Sequence, residues 1–239
     1  MGLEGGAAHR PDAAPGPVRR GMWPAARIRR ALRLYAVTER SGLWNSRLTL
    51  PDAVAAAIEG GATFVQLREK RATPREIGDL ARAIMPVCRA AGVPFVIDDE
   101  VELAAELDAD GVHVGQSDMA CERARAILGP GKIVGVSAQT VEEALAAQAA
   151  GADYLGVGAL YPTPTKPDAV DVTFEGLAGI CAAVDIPVVG IGGLHVGTLG
   201  PLAGTGVAGA AVVSAIFSAT DPKAAAAGLS RELDRVLAP

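Results

Sequence analysis

Phe64-Val65-Gln66-Leu67-Arg68-Glu69-Lys70 begins as a buried strand and ends as a charged rim. Phe64-Val65 is apolar, as the inside of a sheet requires. In a strand successive side chains point to opposite faces, so Gln66, Arg68 and Lys70 share one face while Leu67 and Glu69 take the other. An amide and two cations at the end of a buried strand make a poor core and a good anion cradle. A solvated loop between strand and helix is the ordinary account of one such cluster. Here the pattern repeats: Asp98-Asp99, Asp118, Ser137, Thr163-Pro164-Thr165-Lys166 and Gly190-Ile191-Gly192-Gly193 each follow another short apolar run. Polar groups that collect after successive strands mark a site.

Outward from that stretch, strand-like runs at 34–38, 62–68, 93–97, 111–114, 133–136, 154–157, 187–191 and 206–213 alternate with helical patterns. Ile77, Leu80, Ala81, Ile84 and Cys88 form one apolar stripe at helical spacing. Thr73-Pro74-Arg75-Glu76 opens that helix as a capping box with Pro at its first position, and Thr140-Val141-Glu142-Glu143 and Asp221-Pro222 open two later helices in the same manner. Gly60-Gly61 and Gly151 stop helices just before a strand. The strands are near-continuous apolar runs, which suits parallel strands covered on both faces. Eight such units in one chain predict an α/β fold, a single (β/α)8 TIM barrel over residues 33–239, preceded by a disordered extension over 1–32. In that fold active sites lie at the C-terminal ends of the strands, where every polar cluster falls.

Composition narrows the function classes. The 239 residues are 50% hydrophobic but only 4% aromatic, so the core is built of Ala, Val, Leu and Ile. A net charge of −5 disfavours nucleic acid and anionic membranes as partners. Residues 1–33 carry seven arginines against Glu4 and Asp12, a local +5 that leaves −10 for the remainder. This Gly-, Pro- and Arg-rich stretch lacks apolar periodicity and reads as a disordered tail rather than a presequence. Cys88, Cys121 and Cys181 have no metal-type spacing and read as reduced thiols of a cytoplasmic protein. Between Asp185 and Asp221 only His195 titrates, but Pro201 and many glycines break the stretch, so no membrane helix is expected.

Asp99 and Asp118 follow the third and fourth strands and are neighbours around the rim. Two carboxylates without an intrinsic partner suit Mg2+, which takes one or two carboxylates and fills its sphere with water and phosphate oxygens. For Asp118 alone, capping the next helix is an equal reading. Cations beside a Mg2+ site imply a diphosphate. Gly190–Gly193 after the seventh strand and Val212-Val213-Ser214 after the eighth suit a second phosphate site, since glycine lets the backbone approach an anion; close packing is the alternative reading. Lys166 in the stiff Thr163–Lys166 loop offers another cation, and Ser137 either a hydroxyl for a phosphate or a helix cap. His113 reads as a hydrogen-bonded interior residue, and His195 as part of a helix entry. No covalent nucleophile is found, which argues against covalent catalysis.

In order, Gln66-Leu67-Arg68-Glu69-Lys70, Asp99, Gly111-Val112-His113-Val114-Gly115-Gln116-Ser117-Asp118, Gly135-Val136-Ser137, Tyr161-Pro162-Thr163-Pro164-Thr165-Lys166, Gly190-Ile191-Gly192-Gly193 and Val213-Ser214 resemble the motifs of the thiamine phosphate synthase family. The resemblance runs from Leu34 to about Leu237 and leaves the N-terminal segment uncovered. It implies a transferase that joins a hydroxymethylpyrimidine diphosphate to a thiazole phosphate, giving thiamine monophosphate and pyrophosphate. Gln66, Arg68, Lys70, Asp98, Ser137 and Lys166 would then hold the pyrimidine diphosphate. Asp99 and Asp118 would carry Mg2+, and Thr163, Pro164, Thr165, Gly193, Val213 and Ser214 the thiazole phosphate. The implied partners are small molecules, with a homo-oligomer left open. Two positions depart from the family pattern: Asp98 stands where Asn is usual, and Gln139 where His is often found. Related thiazole tautomerases use that His for proton transfer, so Gln139 argues against this alternative. A non-catalytic phosphate-binding paralogue is the other.

Overall fold

The computed structural model describes residues 23–39, 48–162 and 172–238. A short helix, α1 (Ala25–Ala31), precedes β1 (Leu34–Val37). There follow α2 (Leu50–Glu59), β2 (Phe64–Leu67), α3 (Pro74–Ala91), β3 (Phe95–Asp98), α4 (Val101–Glu106) and β4 (Gly111–Val114). The second half runs through α5 (Cys121–Leu128), β5 (Ile133–Ala138), α6 (Val141–Ala149), β6 (Tyr154–Val157), α7 (Phe174–Ala183) and β7 (Val188–Ile191). It ends with β8 (Gly209–Val212), α8 (Ser214–Phe217) and α9 (Pro222–Val236). The eight strands are all parallel and close in sequence order, with Tyr35 paired to Phe64 on one side and to Ala211 of β8 on the other. This is the (β/α)8 barrel that the strand pattern predicts.

Local chemistry explains where the helices start. Thr73 accepts from the Glu76 N–H while Glu76 accepts from the Thr73 N–H, a complete capping box with Pro74 next to it. Thr140 caps α6 through the Glu143 N–H, but the Glu143 carboxylate reaches back one residue further, to the Gln139 N–H at 2.7 Å. Asp221 caps α9 through the Ala224 N–H. On α3 the expected stripe is in place: Ile77, Ala81, Ile84 and Cys88 are buried and Leu80 is half-buried against the core.

The apolar residues fall into two clusters. The larger lies between strands and helices; the smaller fills the barrel, where Tyr35, Phe64, Val96, Ile133, Tyr154, Val189 and Ala211 meet. Ile28 and Leu32 belong to this inner cluster, at 1% and 0% exposure, with Trp23 packed against them. For residues 23–32 this replaces the expected disordered extension with a helix packed on the barrel. Ile28 of α1 and Leu32 at its C-cap, four residues apart, close the bottom of the barrel. Residues 1–22 lie outside the described residues. The three cysteines are free; burial pushes the Cys88 thiol up to about 12 and that of Cys181 to about 11, so both remain protonated near neutrality. No helix among the described residues is long and apolar enough to cross a membrane.

Candidate active site

A cavity of about 370 Å³ opens at the C-terminal ends of the strands. Of the residues expected to form a site, Gln66, Arg68, Lys70, Asp98, Asp99, Asp118, Ser137, Gly193, Val213 and Ser214 all line it. Thr163, Pro164, Thr165 and Lys166 lie outside the described residues. The fold therefore brings together residues from the ends of β2, β3, β4, β5, β7 and β8, as strand closure requires.

The cationic cradle is already occupied by carboxylates. The Arg68 guanidinium sits 2.7 Å from Glu39 and 3.6 Å from Asp98. The Lys70 ammonium lies 3.0 Å from Asp98 and also contacts Asp99. The sequence reading expected cations waiting for an anion; the structure pairs them, because Glu39 follows β1, Asp98 ends β3 and Asp99 follows it, and both strands neighbour β2. Among the described residues here, Glu39, Asp98, Asp99 and Asp118 outnumber Arg68 and Lys70 by two. Burial raises the Asp98 pKa, against the pull of Lys70 and Arg68, and Asp118 adds to the rise. Burial and then the Asp98 charge push Asp99 up to about 6, although Lys70 opposes them. Burial lowers the Lys70 pKa, but Asp98 and Asp99 outweigh it and the net shift is upward.

Backbone geometry makes this convergence possible. Strand alternation alone would send Asp98 and Asp99 to opposite faces. Asp99 instead adopts φ +60°, a left-handed conformation that Asp tolerates better than most residues, and its N–H still donates to the His113 carbonyl at 2.8 Å. The chain turns there, and both carboxylates reach Lys70. Asp118 is fixed differently: its Oδ2 accepts from the Gly115 N–H at 2.8 Å. It does not cap α5, whose N-cap is Ala120 without a side-chain bond. No group of three or more His, Cys, Asp or Glu arranged to ligate a metal is found among the described residues. A pair of carboxylates with excess negative charge fits a hard divalent cation that keeps several waters or phosphate oxygens.

On the opposite wall, Gly192 at φ +100° and Gly193 at φ +65° hold conformations that side chains rarely adopt. A Cβ on Gly192 would lie 2.7 Å from Ala159 Cα, and one on Gly193 2.6 Å from Tyr161 Cβ. Close packing thus requires these glycines, while the same bare backbone faces the cavity beside Val213 and Ser214.

Beneath the cavity lies a buried polar chain that sequence reasoning only grazed. Gln66 Nε2 donates to the Tyr35 hydroxyl at 2.8 Å, which bonds the Tyr154 hydroxyl at 2.8 Å. Tyr154 meets His113 Nδ1 at 2.9 Å, and His113 Nε2 meets Ser137 Oγ at 3.0 Å. His113 is the interior, hydrogen-bonded residue expected of it. Both tyrosines escaped notice because they sit in apolar runs; Gln116, which lines the cavity and donates to the Ser137 carbonyl at 2.6 Å, lay within a quoted motif without a role.

Comparison with known proteins places this geometry. The family model for thiamine monophosphate synthase matches residues 34–216. The thiamine-phosphate synthase of Roseiflexus sp. (strain RS-1) is 45% identical over 197 residues, covering 82% of this chain and 83% of its own length. That of Ruminiclostridium cellulolyticum is 48% identical over 193 residues, covering 81% and 91%. Among solved structures, the thiamine phosphate pyrophosphorylase from Pyrococcus furiosus superposes with a TM-score of 0.80 at 39% identity, covering 88% of this chain and 99% of that one.

Proposed function

The chain belongs to the thiamine monophosphate synthase family and condenses a hydroxymethylpyrimidine diphosphate with a thiazole phosphate, and we propose that the rim cavity holds both substrates. The products of this transferase reaction are thiamine monophosphate and pyrophosphate. The observation that carries the site assignment is the meeting of Asp99, Asp118, Lys70 and Arg68 on adjacent strand ends, with carboxylates in excess.

Asp99 and Asp118 are the residues that would hold Mg2+, and when bound the ion neutralises charge on the departing pyrophosphate. Lys70 and Arg68, with Lys166, supply cations to the diphosphate; Lys70 is the half-exposed member and the one free to turn from carboxylate to phosphate. Ser137 donates a hydroxyl hydrogen to it. Gln66 borders the same end of the cavity, and Asp98 holds Lys70 and Arg68 in place. Gly193, Val213 and Ser214, together with Thr163, Pro164 and Thr165, bind the thiazole phosphate.

The chemistry follows from this placement. The bond between the pyrimidine methylene carbon and the diphosphate oxygen breaks, and the electron pair leaves with pyrophosphate. The methylene cation is stabilised by the pyrimidine, and the thiazole nitrogen donates its lone pair to form the new C–N bond. The protein supplies cations and hydrogen-bond donors where negative charge grows and aligns the two partners. No protein nucleophile is needed for these steps.

Incubation with both substrates and Mg2+, followed by mass detection, should yield thiamine monophosphate and pyrophosphate. Product formed at full rate with a chelator in excess would remove the metal from the scheme. Turnover of the thiazole phosphate alone would favour a tautomerase instead.

A further inference from the structure

We propose that Tyr35 and Tyr154 are positioning residues for the reaction: with His113 they form a directional hydrogen-bond relay that keeps the Ser137 hydroxyl hydrogen turned into the cavity, toward the diphosphate. The inference rests on the reading of Ser137 as a diphosphate ligand.

Direction follows from the donor at the start of the chain. The Gln66 amide nitrogen can only donate, so the Tyr35 oxygen accepts at 2.8 Å and its hydrogen is left for Tyr154. Tyr154 accepts it and passes its own hydrogen to His113 Nδ1, 2.9 Å away. With Nδ1 accepting, the hydrogen of the neutral imidazole lies on Nε2 and is donated to Ser137 Oγ at 3.0 Å. Ser137 has then accepted from the protein, and its own hydrogen is available to a ligand. In the reverse direction Tyr35 would accept from both of its hydroxyl's neighbours, Gln66 and Tyr154, and its own hydrogen would have neither as acceptor, in a hydroxyl buried among apolar barrel residues. A buried donor without an acceptor is costly, so the forward direction prevails.

Two further observations show that the relay is built in. A Cβ on Gly135 would sit 2.1 Å from Tyr154 Cζ, and one on Gly156 would sit 3.2 Å from His113 Cε1. These glycines, on β5 and β6, vacate the space that the tyrosine and imidazole occupy. Burial also pushes the pKa of both phenols well above the ordinary value, so the relay transmits orientation rather than a proton. As negative charge grows on the leaving oxygen, a pre-aimed donor gains strength, which places the effect on kcat more than on KM.

A double-mutant cycle tests this on the full chain with both substrates and Mg2+. Ser137→Ala should lower kcat by about tenfold or more, and Tyr154→Phe by roughly fivefold with KM for the diphosphate nearly unchanged. Combined, the two should cost less than about twofold beyond Ser137→Ala alone, because the relay has nothing left to orient. Tyr35→Phe, one bond further away, should show a smaller loss that also vanishes in the Ser137→Ala background. It carries the cycle should Tyr154→Phe fail to fold, and thermal melts on each variant separate folding from function. Equal fold-losses in both backgrounds would overturn the relay, since a purely structural role is indifferent to Ser137. A fully active Ser137→Ala would overturn the diphosphate assignment of Ser137 itself, and the relay with it.

Discussion

The two ends of one barrel are built from the same inward-facing rows, yet they have opposite chemistry. Along β2 the row reads Phe64, then Gln66, and continues to Arg68 beyond the strand. Along β3 it reads Val96 and Asp98, and along β5 Ile133, Gly135 and Ser137. One step on the same face takes the β2 and β3 rows from hydrocarbon to hydrogen bonding or charge, and two steps, through Gly135, take the β5 row. Below that step Ile28 and Leu32 of the N-terminal segment seal the barrel; above it cations and carboxylates surround an open cavity. The tyrosine pair marks the boundary, with rings in the core and hydroxyls in the polar chain. Stability and reactivity are thus assigned to opposite ends, and each end should be breakable without the other.

The sharpest break is at the top. Asp99→Ala should reduce turnover by about a hundredfold or more, because it removes a carboxylate proposed to hold the metal and leaves Lys70 without one of its two carboxylate partners. Its melting temperature should fall by only a few degrees, the cost of placing Ala at φ +60°, since Asp99 is a rim residue and packs no core. Measuring thiamine monophosphate formation beside a thermal melt decides the matter; wild-type turnover in this variant sinks the metal assignment.

The converse break is at the bottom. Ile28→Ala removes a side chain that is 1% exposed, and should cost about 2–4 kcal/mol of stability. Below its melting point its kcat should match the parent. A chain that starts at Trp23 should keep both rate and melting temperature, whereas one that starts at Leu34 should lose stability but not the assembled site. Urea unfolding of the three proteins provides the measurement. Equal stability for all three would mean that α1 contributes nothing to the barrel.

Legibility in the sequence also differs between these two ends. The strands were visible because parallel strands covered on both faces are apolar throughout, and because Thr73 and Asp221 announce helices. The last run, read as 206–213, contracts to Gly209–Val212 because Gly206, at φ +88°, lies outside the extended conformation. Helix α1 was hidden: seven residues hold three arginines, and only Ile28 and Leu32 repeat, too few for a periodic signal. At the top, residue types after each strand betrayed the site, but not its pairings. Arg68 meets Glu39 across strands, and Asp99 joins Asp98 only because its φ is positive. The tyrosine hydroxyls were masked by apolar neighbours on either side.

The smallest expected effect concerns Asp98, a position where the family resemblance leads one to expect Asn. Its carboxylate is 3.0 Å from Lys70 and 3.6 Å from Arg68, and its charge is the second cause, after burial, of the raised Asp99 pKa. An incoming diphosphate therefore meets an extra negative charge, offset by Lys70, Arg68 and a bound divalent ion. Asp98→Asn keeps a hydrogen-bonding group of the same shape, while Lys70 retains Asp99 and Arg68 retains Glu39. Turnover should stay within a few-fold of the parent, and the pyrimidine diphosphate should bind as well or better, most visibly at low Mg2+, where less charge is neutralised. Asp98→Ala should be worse than Asn, because it also removes the group that positions the two cations. Titration of the diphosphate against all three proteins at high and low Mg2+ reads out the difference. If Asp98→Asn abolished turnover while Asp99→Asn did not, the two neighbours would have exchanged roles, and the metal would belong to Asp98.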